Sequence, residues 1–197
     1  MTLEIPEIVR YMRMGCRMPE GALAERMLRL RDEALAAVRQ ASFCRRFPVA
    51  DGAIGDPPAA GIALRGTLAR HLEGCHAAYL ACGTIGAEFD ALQRRVSAVS
   101  GTDALAVQAA GAALVEKLMD EVEDAIRGKL EDGEILLPRY SPGYGDFPLS
   151  AQRELLGLLD APRRVGVSLT DSFLMIPSKS VSAVIGVKKA SAKEGKE

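Results

Sequence analysis

The apolar residues of the N-terminal stretch return at helical spacing. "EIPEIVRYMRM" (4–14) predicts a first helix, and Pro19, Glu20 and Gly21 open a second over "ALAERMLRLRDEALAAVRQA" (22–41), with arginines and acids between its apolar positions. The pattern then changes. "SFCRRFPVA" (42–50) reads as extended, "DGAIGDPPAAG" (51–61) as a turn-rich loop, and "GIAL" (61–64) and "CHAAYLAC" (75–82) as strands around a short helix "TLARHL" (67–72) that Gly74 ends. After "GTIG" (83–86) come helices over 87–100 and 103–130, the second capped by Thr102 or Asp103 and closed near Gly133.

Within that long helix Ala106, Ala109, Ala110, Gly111, Ala112 and Ala113 make a smooth face suited to close approach, most simply to a sheet. "EILLPRY" (134–140) extends again, and "SAQRELLGLL" (150–159) is a helix with a serine cap. "RVGVSLTDSFLMIPSKSVSAVIGV" (164–187) is rich enough in Val, Ser, Ile and Thr for two or three strands. "KKASAKEGKE" (188–197) has no apolar anchor and is expected to be a disordered tail. The expected organisation is one domain over 1–187, a helical arm (1–42) and a mixed core (43–187), of a size that buries one good core.

Charge and cysteines narrow the function. Twenty-five basic side chains against 26 acidic ones give a formal net charge of −1, so no global field draws nucleic acid or an anionic membrane. No run of about 20 apolar residues spans a bilayer, and "MTLEIPEIVRYMRM" lacks a signal-peptide core, which points to the cytoplasm. Cys16, Cys44, Cys75 and Cys82 are scattered and expected as reduced thiols. His71, Cys75, His76 and Cys82 raise the thought of zinc, but strand alternation sends Cys75 and Cys82 to opposite faces, and no metal is expected. "GTIG" could offer amides to an anion, though glycines at such a turn are more often mere geometry. Phosphate-loop, dinucleotide, zinc-protease and nucleophile-elbow signatures are missing, and with two histidines the chain does not read as a hydrolase.

One stretch stands apart. "PRYSPGYGDFPLS" (138–150) holds three prolines, two glycines, two tyrosines and one basic residue, Arg139. Pro138, Pro142 and Pro148 fix their φ angles, and Pro142 also restrains Ser141. A loop so stiffened binds at low entropic cost. Arg139 has a planar fork for a carboxylate, Ser141 offers main-chain groups, and Gly143 admits a ligand close to the backbone. By itself this says only that a ligand loop or a stiff surface turn is present.

Arg139, Gly143 and Tyr144 form R-x-x-x-G-Y, and about thirty residues on stand Leu169, Thr170, Ser172, Met175, Pro177, Ser180, Val181 and Ser182. This pair of motifs resembles the S-adenosylmethionine-binding activation domain of cobalamin-dependent methionine synthase. The similarity runs from about residue 60 to 187 and includes "YLACGTIG" and the helix with "LVEKLMDEVEDAI". The resemblance implies an α+β fold, a twisted, mostly antiparallel sheet flanked by helices, here with an N-terminal helical arm. It implies reductive reactivation, in which S-adenosylmethionine is held over a corrin whose cobalt has been oxidised to Co(II), a reductant protein supplies an electron, and the methyl group passes to cobalt. Arg139 would then pair with the methionine carboxylate, Ser141, Pro142 and Gly143 would hold the amino acid end, and Tyr144 would face the corrin as the catalytic residue.

Departures accompany the match. Ile185 and Gly186 stand where the large synthases carry a Tyr-Phe pair near the adenosine, and the acid the family supplies from its arm has only Glu4, Glu7 and Glu20 as candidates. Nothing in the 197 residues resembles a homocysteine, folate or cobalamin module. The expectation is a free-standing reactivation protein whose partner is a methionine synthase lacking its own activation domain, or another corrinoid protein. The alternative is a non-catalytic escort module that has lost tight cofactor binding.

Overall fold

The computed structural model describes residues 1–13, 18–57 and 60–190. Cys16 and the tail beyond 190 lie outside the described residues. In chain order the elements are α1 (Ile5–Tyr11), α2 (Gly21–Ala36), β1 (Ala41–Ala50), β2 (Ala53–Ile54), β3 (Ile62–Ala63), α3 (Gly66–His71), β4 (Cys75–Thr84), α4 (Ala87–Ser97), α5 (Gly101–Arg127), β5 (Glu134–Tyr140), α6 (Gln152–Leu158), α7 (Ala161–Arg164), β6 (Ser168–Leu169), β7 (Met175–Ile176) and β8 (Ser180–Lys189). The six-stranded sheet has the order β3-β2-β1-β4-β8-β5 and is mostly antiparallel, as in the β1/β2, β2/β3 and β5/β8 pairs. The fold is α+β, as the resemblance implies.

The chain divides into two compact units, one of residues 1–41, 83–120 and 175–181, the other of 42–82, 121–174 and 182 onward. The expected arm ends beside the first boundary, but its unit also takes in α4 and most of α5. In this first unit Met27, Leu30 and Ala34 of α2, at helical spacing, join Ile8 and Val9 of α1, Phe89 and Leu92 of α4, and the small-residue stripe of α5 in one buried cluster. Ser100 caps α5 by accepting the Asp103 N–H at 3.3 Å, so the helix opens before the expected Thr102 or Asp103. It ends at Arg127, short of Gly133, because Gly128 intervenes; Gly133 takes φ +76° in the turn into β5.

At Gly111 the stripe on α5 meets an aromatic ring. A Cβ on Gly111 would lie 2.5 Å from Phe89 Cε1 and 2.9 Å from Lys179 Cε. Alanine there gains about 1 kcal/mol of helix propensity but forces apart a packed ring, at about 1–3 kcal/mol. Gly111→Ala is therefore expected to lower the denaturant midpoint, and a raised midpoint would show that Phe89 turns aside freely.

In the second unit the stretch expected as loop forms a tight hairpin. Asp51 and Gly52 take φ +51° and +72° and join Ala50 to Ala53 directly across the turn, the backbone twist that an Asp-Gly pair favours. β4 is buried from Ala77 to Thr84 with no alternation, so its sequence reads as a continuous apolar run. α6 enters through a 3-10 turn, Leu149–Ala151, with no side-chain cap, so Ser150 does not play its expected part.

β8 runs past the expected boundary at 187. Lys188 and Lys189 face Ile135 and Glu134 in register, and the Ala190 N–H donates to Gly133 O at 2.7 Å. Truncation after Val187 is expected to cost about 1–2 kcal/mol through lost ladder hydrogen bonds, whereas truncation after Ala190 leaves the thermal midpoint unchanged. Equal midpoints for both truncations would show that the last rungs contribute nothing.

Candidate functional site around Arg139

Arg139 lies near the end of β5, the outermost strand on its side of the sheet, opposite Ile185 of β8. The register shifts between Leu136 and Arg139, where Pro138 stands. A residue without an N–H suits an irregular place on an edge strand, and the shift re-aims the side chain that follows. The Arg139 Nε is 3.0 Å from Glu123 Oε1 on the last turns of α5, and Glu123 Oε2 also accepts from Arg127 at 2.8 Å. Only 21% of the Arg139 side chain and 11% of the Glu123 side chain are exposed. The arginine is thus no ordinary surface side chain: its stem is covered and its charge is paired.

Glu123 is the residue that sequence reasoning missed. It stands inside "LVEKLMDEVEDAI", among six acids between 116 and 131, and nothing in helical periodicity marks it from the others. Its spacing of four to Arg127 was the available signal, and it pointed only to a helix-surface pair.

Beyond Arg139 the loop closes on itself. The Gly143 N–H donates to Phe147 O at 2.8 Å, the Tyr144 N–H to Ser141 O at 3.2 Å and the Phe147 N–H to Tyr144 O at 3.0 Å. Gly143 takes φ +96°, a conformation that favours glycine. Pro142 is buried and Ser141 half-buried, while Tyr144 is 66% exposed. Arg139, Ser141, Pro142, Gly143 and Tyr144 therefore form one short, stiff segment with a paired charge at one end and an outward phenol at the other.

Ile185 and Gly186 are both buried. A Cβ on Gly186 would lie 2.7 Å from Leu72 Cδ2, 2.8 Å from Cys75 Sγ and 3.0 Å from Leu137 Cδ1, so this position has no room for an aromatic ring. Glu7 is engaged in the first turn of α1, its Oε2 accepting the Glu4 N–H at 2.8 Å. Glu20 directly precedes α2.

The second motif builds turns. Thr170 Oγ1 accepts the Leu174 N–H at 3.0 Å and lies 3.0 Å from Ser172 Oγ. Around it the Phe173 N–H donates to Thr170 O, with Phe173 at φ +62° beneath the Arg153 guanidinium, 5.0 Å from its ring. Ser180 Oγ lies 2.7 Å from Pro177 O and 2.8 Å from Thr84 Oγ1. The "GTIG" amides are used in the same way. Ile85 N–H donates to Lys179 O at 3.1 Å and Gly86 N–H to Thr84 Oγ1 at 3.2 Å, which leaves neither for an anion.

Burial pushes the Cys82 thiol up to about 12 and raises those of Cys44 and Cys75 as well. Among the described residues no three His, Cys, Asp or Glu side chains are grouped to hold a metal ion, and no helix is long and apolar enough to cross a membrane.

The sheet order and the flanking helices define an α+β protein. Residues 106–193 match the family model described as the vitamin B12 dependent methionine synthase activation domain, a span that contains both motifs. A crystal structure of the MetH reactivation domain bound to AdoHcy is similar over 100% of this chain and 72% of that chain, with 19% identity and a TM-score of 0.54. No curated protein matches the chain in sequence. The resemblance to the methionine synthase activation domain therefore holds in the matched span, and the likeness of fold extends over the whole chain.

Proposed function

We propose that the chain binds S-adenosylmethionine at the Arg139 loop and supports reductive methylation of cob(II)alamin held by a methionine synthase that lacks its own activation domain, or by another corrinoid protein. The observation that carries this reading is the Arg139–Glu123 pair at 3.0 Å. A guanidinium and a carboxylate side by side match the carboxylate and ammonium of an amino acid, and each can exchange its partner for the opposite charge of the ligand without being left bare. Arg139 takes the carboxylate, Glu123 the ammonium, and the backbone from Ser141 to Gly143 closes over the amino acid end.

When bound, S-adenosylmethionine supplies a methyl group already activated on a sulfonium, while a reductant protein delivers the electron that makes cobalt nucleophilic. The chain's own part is positioning, so no side-chain base is required. Tyr144, with its phenol outward, is the residue placed to meet the corrin. Isothermal titration with S-adenosylmethionine tests the binding. A visible spectrum moving from cob(II)alamin to methylcobalamin, in a mixture with a cobalamin-loaded synthase lacking its activation domain and a reductant, tests the reaction.

One observation favours a second reading. Leu72, Cys75 and Leu137 fill the space an aromatic at Gly186 would need, so adenosine loses that contact. A protein that docks on a corrinoid partner as an escort without chemistry would give no heat with S-adenosylmethionine and still bind the partner.

A further inference from the structure

Helix α3 touches the loop at two points. His71 Nε2 donates to Pro138 O at 3.0 Å, and one helical turn earlier Thr67 meets Asp146 and Tyr140. Asp146 Oδ1 accepts the Thr67 N–H at 2.8 Å and the Thr67 hydroxyl through a short contact. Because that hydroxyl spends its proton on Asp146, its oxygen is the acceptor for the Tyr140 phenol at 2.7 Å. The phenol has one proton, which it shares between the Thr67 oxygen and, on a longer arm of 3.2 Å, Tyr144 O, so the network reaches the backbone of the exposed tyrosine through a divided hydrogen bond. The Tyr140 ring is held between His71, with centroids 4.9 Å apart and planes at 23°, and Phe147, at 6.0 Å and 12°.

Two glycines clear the space for this network. A Cβ on Gly145 would lie 2.8 Å from Tyr140 Oη and 2.9 Å from Thr67 Oγ1, and one on Gly66 would run into the Asp146 carboxylate. Both take positive φ, +56° and +50°. Past Asp146 the packing is incomplete, since Asp146, Phe147 and Pro148 line a cavity of about 230 Å³ together with Ile62, Ala63 and Leu68. Apolar contact alone therefore does not fix this half of the loop.

We propose that α3 is the positioning element of the loop, and that Thr67 and Tyr140 are positioning residues which hold Tyr144 in a single pose. What the pose serves rests on the proposed function; that the network sets it does not. Tyr140→Phe keeps both ring contacts and removes the hydroxyl, Thr67→Val removes the second hydroxyl at equal size, and Thr67→Ser restores it.

The chain has no tryptophan, so Tyr144→Trp makes a single reporter. Its time-resolved fluorescence anisotropy is expected to show a larger nanosecond component when combined with Tyr140→Phe or Thr67→Val, and the original component with Thr67→Ser. Identical decays in all four backgrounds overturn the proposal, whatever the protein binds. With Tyr144 intact, Tyr140→Phe is expected to leave S-adenosylmethionine affinity within about twofold and to slow cobalt methylation at saturation roughly tenfold, as lost positioning does. An unchanged rate also overturns it, as does a rate that falls only in step with affinity. Failure of the wild type to bind S-adenosylmethionine counts against the proposed function alone, because the anisotropy still decides what holds the loop.

Discussion

Alanine at Glu134 is expected to cost about 1.5–3 kcal/mol of stability, the worth of hydrogen bonds to a charged group, because the partners it leaves, Arg46 and His76, are partly exposed and regain water. The Glu134 side chain has no exposed surface. Arg46 reaches it with both terminal nitrogens, at 2.5 and 3.1 Å, His76 Nε2 lies at 2.7 Å, and the Glu131 N–H donates at 3.0 Å. Removing the carboxylate leaves Arg46 and His76 3.2 Å apart with no anion between them. Arg46 above all holds the Glu134 carboxyl down at about 2, against an ordinary 4.5. A carboxyl lowered by folding stabilises fully above its unfolded value, and the contribution is lost as pH falls from about 4.5 towards 2. Chemical denaturation of wild type, Glu134→Ala and Glu134→Gln across that range checks both points: the wild type should lose its advantage over the variants as acid is added, and a constant difference would deny the pairing.

Arg139→Ala is expected to weaken S-adenosylmethionine binding by about 1.5–3 kcal/mol, the worth of a hydrogen bond to a charged group, or roughly ten- to 150-fold in Kd. The same variant should also lose about 1 kcal/mol of stability, since it strips one of two cations from a largely covered Glu123. Arg127 remains at 2.8 Å, which limits that loss. Arg139→Lys keeps the charge without the planar fork and should fall between the two in affinity. Titration calorimetry on variants shown to be folded by circular dichroism separates the effects, and wild-type affinity in folded Arg139→Ala would remove the arginine from the carboxylate site.

Most of the architecture was legible because each element carries its own local signal. α2 shows apolar residues at 27, 30 and 34, β4 a run without polar interruption, and the loop its prolines. Element ends were harder, since they depend on single groups such as the Ser100 hydroxyl, which caps α5 ahead of Thr102 and Asp103, the residues that resemble caps. The hairpin at Asp51–Gly52 was harder to read, for its second strand has only two residues and little apolar pattern to announce it. The half of the site lying on one segment, Arg139 to Tyr144, could be read as a string. Glu123, sixteen positions earlier on a helix, could not, because only folding brings it to 3.0 Å from the arginine.

Among the described residues β5 has no neighbouring strand on one side of its backbone, and such a strand invites a second chain to add itself. Pro138 withholds a donor there and the register shift bends the ladder beside it, so an incoming strand would meet an interrupted row. The irregularity that aims Arg139 at Glu123 therefore also makes this edge a poor template for a further strand.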